Sequence, residues 1–120
     1  MSRDHRKLLV FVLADGLVTK IYSITQHFPA TERFGLQIQL RRAAVSAACN
    51  IVEGCARRGT SEYLNFLNIA AGSASEARYL VDVSCRLGFL SEGDSQAVTA
   101  TYTELCARLQ ALMRSLSHEP

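Results

Sequence analysis

The strongest constraint on this chain is an apolar rhythm of alternating four- and three-residue steps. Near the C-terminus it reads Val98, Tyr102, Leu105, Leu109, Leu112 and Leu116. The same rhythm opens the chain as Val10, Ala14, Leu17, Ile21 and Ile24. Such spacing keeps one face of an α-helix apolar, and the mixed step suits left-handed antiparallel packing. No stretch alternates in the manner of a strand, so the pattern predicts an all-α fold.

Three breaks divide the pattern into four helices. The first helix runs from about Asp4 to Gln26 and ends at His27-Phe28-Pro29, because a residue before proline is pushed out of helical geometry. The second runs from about Glu32 to Arg58, with Thr31 as its N-cap and Gly59 at its end. The third begins behind Thr60 or Ser61 and reaches Leu87, with Gly88 past its last turn. Ser91 and Asp94 open the fourth in the manner of a capping box. Short connections between long helices predict an antiparallel up-down four-helix bundle, one domain over residues 1–120.

Helices 2 and 3 are apolar nearly all round. Helix 2 carries one stripe of Leu36, Leu40, Ala43, Ala47 and Ile51, and another of Phe34, Ile38, Val45, Ala48 and Val52. A lone bundle of this size buries one stripe per helix, so the second predicts burial against another subunit. Small residues at Ala43-Ala44, Ala47-Ala48 and Ala70-Ala71-Gly72 allow close helix approach. Gly72 in mid-helix costs about 1 kcal/mol relative to alanine, which some packing advantage should offset.

Charges interrupt these stripes. Arg41 lies 18 residues before Gly59 and Glu76 lies 17 after it, which puts them at one height in a hairpin. An Arg41–Glu76 ion pair, buried or at a subunit interface, is the expected consequence. Arg42, Asn50 and Glu53 share a narrow polar stripe with Gln39, Ser46 and Arg57. That stripe is either a solvated face or the lining of a subunit interface or central channel. Arg41, Arg42, Asn50, Glu53 and Glu76 are thus the candidate polar network of an oligomer.

The net charge is only +2, but its distribution is uneven. Residues 1–59 hold nine Lys/Arg against four Asp/Glu, and residues 60–120 hold four against seven. Sequential antiparallel packing brings Arg3, Arg6 and Lys7 to the same end as Arg57 and Arg58. These residues, chiefly Arg6, Lys7, Arg57 and Arg58, are candidates for contacts with RNA or DNA phosphates.

Catalytic and metal-binding patterns are missing. His5, His27 and His118 lie near chain or helix ends, and no Glu-x-x-His motif, glycine-rich phosphate loop or GxSxG occurs. Cys49, Cys55, Cys85 and Cys106 form no CxxC pair and read as free, buried thiols of a reducing cytoplasm. The expectation is a non-enzymatic protein with no metal and no cofactor. Arg6-Lys7 before Leu8–Ala14 resembles a signal peptide, but the apolar periodicity continues beyond Asp15. No uncharged run reaches the ~18 residues of a membrane helix, so no membrane association is expected.

Several motifs together carry a family resemblance. They are Phe28-Pro29, Gln39-Leu40-Arg41-Arg42-Ala43-Ala44, Asn50-Ile51-Val52-Glu53-Gly54, and Ile69-Ala70-Ala71-Gly72-Ser73-Ala74-Ser75-Glu76. At these separations the chain resembles the 23S rRNA-intervening sequence protein family and, more distantly, the accessory variability proteins of diversity-generating retroelements. The resemblance covers roughly Leu8 to Leu90. It implies a homopentamer without enzymatic activity that binds RNA or DNA. The alternative it implies is a protein-interaction adaptor or scaffold, for example for a reverse transcriptase or another polymerase.

Overall fold

The computed structural model describes residues 3–117, which form four α-helices and two single 3-10 turns. The helices are α1 (Leu9–Thr25), α2 (Leu36–Cys55), α3 (Thr60–Arg86) and α4 (Glu92–Ser117). Among the described residues there is no strand. The bundle is elongated, measuring 49 × 22 × 19 Å. His118 lies outside the described residues.

Each helix packs against its two sequence neighbours, and α4 closes back onto α1. Cross-helix bonds show the antiparallel directions. Gln37 on α2 reaches the Thr25 carbonyl at the end of α1, at 2.8 Å. Ser46 and Ser73 meet at 2.8 Å in the middle of the α2–α3 hairpin. Arg78 on α3 contacts Thr103 on α4 at 3.5 Å.

The core follows the expected stripes. Val10, Ala14, Leu17 and Ile21 bury one face of α1, and Val98, Tyr102, Leu105, Leu109 and Leu116 bury one face of α4. Ala43, Ala44 and Ala47 of α2 and Ala70, Ala74 and Ala77 of α3 are all buried in the core, where α2 and α3 pack most extensively. The small residues therefore serve close approach inside one chain. Gly72 does not: it is exposed, and a Cβ there would meet nothing within 4 Å.

Several helix ends differ from expectation. α1 starts at Leu9 because Asp4 caps a separate 3-10 turn, its carboxylate accepting the Arg6 amide at 3.1 Å. Leu8 is then extended, at φ −89° and ψ 130°. α2 starts at Leu36, not near Glu32, and Thr31 is not its cap. Thr31 belongs to the turn Ala30–Glu32, and the Glu32 carboxylate accepts the Leu36 amide at 3.1 Å. Satisfying that orphan donor from Glu32 leaves no capping role for Thr31. α2 stops at Cys55, and Gly59 caps the start of α3 with extended geometry.

Two other ends match. The Ser91 hydroxyl accepts the Asp94 amide at 3.1 Å, opening α4. Gly88 sits at φ +85° past α3. The Phe89 amide bonds the Ser84 carbonyl at 2.9 Å and the Gly88 amide bonds the Cys85 carbonyl at 3.0 Å. This is the Schellman arrangement, which needs a left-handed residue at that one position.

Gly54 is tight for a different reason. A Cβ there would lie 3.0 Å from a Tyr63 ring carbon and 3.1 Å from Cβ of Phe66. Gly88→Ala and Gly54→Ala should each destabilise the fold, by about 1 kcal/mol through backbone strain at Gly88 and about 1–3 kcal/mol through overpacking at Gly54. Urea titration followed by circular dichroism checks both.

Candidate functional site

The two apolar stripes of α2 have different fates. Leu40, Ala43, Ala47 and Ile51 are buried inside the bundle. Of the other stripe only Ala48 is buried, while Ile38, Val45 and Val52 are half-exposed. Phe34, just before the helix, is 88% exposed. Exposed Cys49 lies on the same side. The surface here is a chain of shallow hollows of about 340, 350 and 430 Å³, running from Phe34 to Ala56 and touching Tyr22 of α1.

Arg41 lies at the edge of this strip, but it does not pair with Glu76. Its Nε donates to the Thr25 hydroxyl at 2.9 Å and an Nη donates to the Tyr22 carbonyl at 3.3 Å. The guanidinium stacks 4.4 Å over the Tyr22 ring. The Ser46–Ser73 contact puts Arg41 and Glu76 at similar heights on α2 and α3, but the two side chains face different directions. Arg41 projects from the α1 side of α2, whereas Glu76 is exposed on α3. The ion pair expected within one chain is not formed.

The proposed polar network separates into parts in the same way. Asn50 donates to the Ser46 carbonyl at 2.8 Å and its hydroxyl at 3.1 Å, joining the Ser46–Ser73 contact. Glu53 pairs with Arg57 at 3.1 Å, one turn away. Arg42 and Glu76 are exposed. Among the described residues, no ion pair involves Arg33, Arg41, Arg42 or Glu76.

The basic end of the bundle is brought together as the antiparallel order requires. The Arg3 amide bonds the Cys55 carbonyl at 2.7 Å, and its guanidinium lies 4.0 Å over the Tyr63 ring. An Arg3 Nη also reaches the Arg57 carbonyl at 3.4 Å. These contacts latch the N-terminal turn onto the α2–α3 connection. Three acids temper the cluster. Asp4 pairs with Arg6 at 3.0 Å, while Glu53 and Glu62 flank Arg57 at 3.1 and 4.0 Å. The five cations Arg3, Arg6, Lys7, Arg57 and Arg58 against Asp4, Glu53 and Glu62 leave a surplus of two per chain. Lys7 and Arg58 are exposed and enter none of these pairs.

Burial under this latch shifts two titrating groups. It pushes the Tyr63 hydroxyl up to about 12, helped by the neighbouring Cys55. Burial likewise raises the Cys55 thiol, against small opposing effects from Tyr63 and Arg3. Of the four thiols, all free, only Cys55 is fully buried; Cys49 is exposed and Cys85 and Cys106 are half-buried. Among the described residues no group of three His, Cys, Asp or Glu side chains is arranged to hold a metal ion. No helix among them is long and apolar enough to cross a membrane.

Sequence reasoning missed Tyr22 and Thr25, the residues that hold Arg41. Their spacing of three on α1 is the available signal, since it puts both on one face just before the Pro29 break.

The family model for the 23S rRNA-intervening sequence protein matches residues 6–111. The chain belongs to this family. No curated protein matches it. It is similar in fold to a crystal structure of a protein with unknown function from the S23 ribosomal protein family of Bacteroides thetaiotaomicron VPI-5482. That likeness has a TM-score of 0.79 at 20% identity, over 88% of this chain and 98% of the other.

Two measurements probe these sites. Thr25→Val removes both the acceptor for Arg41 and the bond to the Ile21 carbonyl, and should cost about 1–2 kcal/mol in urea unfolding. Tyr63 titrates near 10 when unfolded and about 12 when folded, so it stabilises the fold below pH 10. That contribution is lost as pH rises through 12. Thermal melts from pH 9 to 12 should fall, and Tyr63→Phe should flatten the fall.

Proposed function

We propose that this protein is a non-enzymatic scaffold of the reducing cytoplasm that assembles as a homopentamer and binds RNA or DNA through the basic ends of its bundles. The uncovered apolar strip of α2, from Phe34 to Val52, carries the self-assembly reading. Isolated apolar side chains are normal on a surface, but a continuous strip along one helix marks an interaction face. The stoichiometry of five rests on the family resemblance.

The polyanion reading rests on Arg6, Lys7, Arg57 and Arg58, which the Arg3 latch gathers at one end. A surplus of two charges is weak in one chain. Repetition around an oligomer would multiply it, and phosphate contacts add through counterion release.

A hollow between α1 and α4 favours the adaptor alternative. It has a volume of about 290 Å³ and is lined by Val12, Leu13, Leu17 and Val98, with exposed Lys20 beside them. Such a groove fits an apolar anchor of a protein partner, for example a polymerase.

Native mass spectrometry of nuclease-treated protein tests the assembly, with a single five-subunit species expected. Fluorescence anisotropy with labelled RNA and DNA then tests binding at graded salt. Affinity should fall steeply with salt, and the slope should become shallower in Lys7→Ala/Arg58→Ala. Salt-insensitive binding, or none, removes the polyanion reading. Co-purification of one protein after nuclease treatment would favour the adaptor.

A further inference from the structure

The outer faces of α2 and α3 differ in charge as well as position. The α2 face carries Phe34, Ile38 and Val45 among Arg33, Arg41 and Arg42, which form no ion pair with an acid among the described residues. The α3 face carries exposed Ile69, Tyr79 and Leu87 around Glu76, an acid with no cationic partner among the described residues. Gly72 sits one turn from both Ile69 and Glu76, with open space above it.

We infer that the α3 face of one copy docks onto the α2 face of the next, with Glu76 opposite Arg42 and the Arg41 edge. This rests on the self-assembly reading above and names the surfaces that meet. Charge selects the pairing. Meeting of two α2 faces would oppose arginine to arginine, and meeting of two α3 faces would oppose Glu76 to its own copy; like charges at an interface are strongly disfavoured. The mixed pairing matches both charges and covers apolar area on each side.

The contact is therefore between unlike surfaces. Such head-to-tail contacts close into rings or run on as filaments, and do not stop at a two-fold dimer. Gly72 also acquires a purpose. Its missing side chain lets a neighbouring helix approach closely, which would offset the helix propensity it sacrifices. Arg41, already anchored on Thr25 and Tyr22, presents a fixed edge, while Arg42 is the free charge that a partner acid neutralises.

Charge reversal tests the pairing. Arg42→Glu and Glu76→Arg both change exposed positions, so each variant should keep its helical circular dichroism. Each alone should weaken self-association by at least about tenfold, the size expected when like charges replace a complementary pair. The combined R42E/E76R chain should associate again. The two single variants should also associate when mixed, because each finds its complement on the other chain, but only as open or even-numbered species, since alternation around a ring of five leaves one junction between like charges. Gly72→Leu should also dissociate the assembly, since nothing in its own chain resists the added side chain.

Sedimentation velocity reads all six samples, wild type included. If wild type is oligomeric but R42E stays assembled, or neither mixing nor combination rescues, this pairing is overturned while self-assembly stands. If wild type is a monomer, both fall.

Discussion

Close approach of α2 and α3 is the constraint on which the rest of the structure depends. Both helices bury alanines in the core, and the Ser46–Ser73 bond joins them. Helices this close must spend their small-residue faces on each other. α1 and α4 then complete the core from one side, with larger residues such as Ile21, Tyr102, Leu105 and Leu109 filling the space. Because α2 can turn only one face inward, its second apolar stripe is left outside. The unusual surface of this protein is thus a direct result of how its core is packed.

The polar residues obey a stricter accounting. Arg41 lies half-buried and its guanidinium finds a hydroxyl, a carbonyl and an aromatic face on α1. Those partners are what make a charged group tolerable at the edge of a packed bundle. At the opposite end Arg3 plays a comparable part, joining the chain start to the α2–α3 connection through Cys55 and Tyr63. Both contacts link segments distant in sequence, and both use the side chain for architecture as much as for charge. Arg42, Glu76, Lys7 and Arg58 are among the described charges left without such partners.

Much of this was legible beforehand. Helix number, the stripe burying Val98 to Leu116, the left-handed glycine at Gly88 and the Ser91 opening all follow from periodicity and local backbone chemistry. The starts of α1 and α2 were not legible. Each depends on one carboxylate choosing among nearby amides: Asp4 closes a separate turn, and Glu32 takes the cap that Thr31 was expected to supply. Several donors compete for the same acceptor within a few residues, and local pattern does not rank them.

What the sequence determined by itself is the number, order and approximate height of the helices, because spacing along a helix converts directly into distance along its axis. It placed Arg41 level with Glu76, and the N-terminal cations beside Arg57 and Arg58. What only the tertiary structure decided is direction around each axis. Arg41 turns to Thr25 and Tyr22, the stripe from Phe34 to Val52 faces outward, and Glu76 points away from the bundle. A helix with two apolar faces has no local preference for burying either, and the choice is made by which face its neighbours can approach most closely.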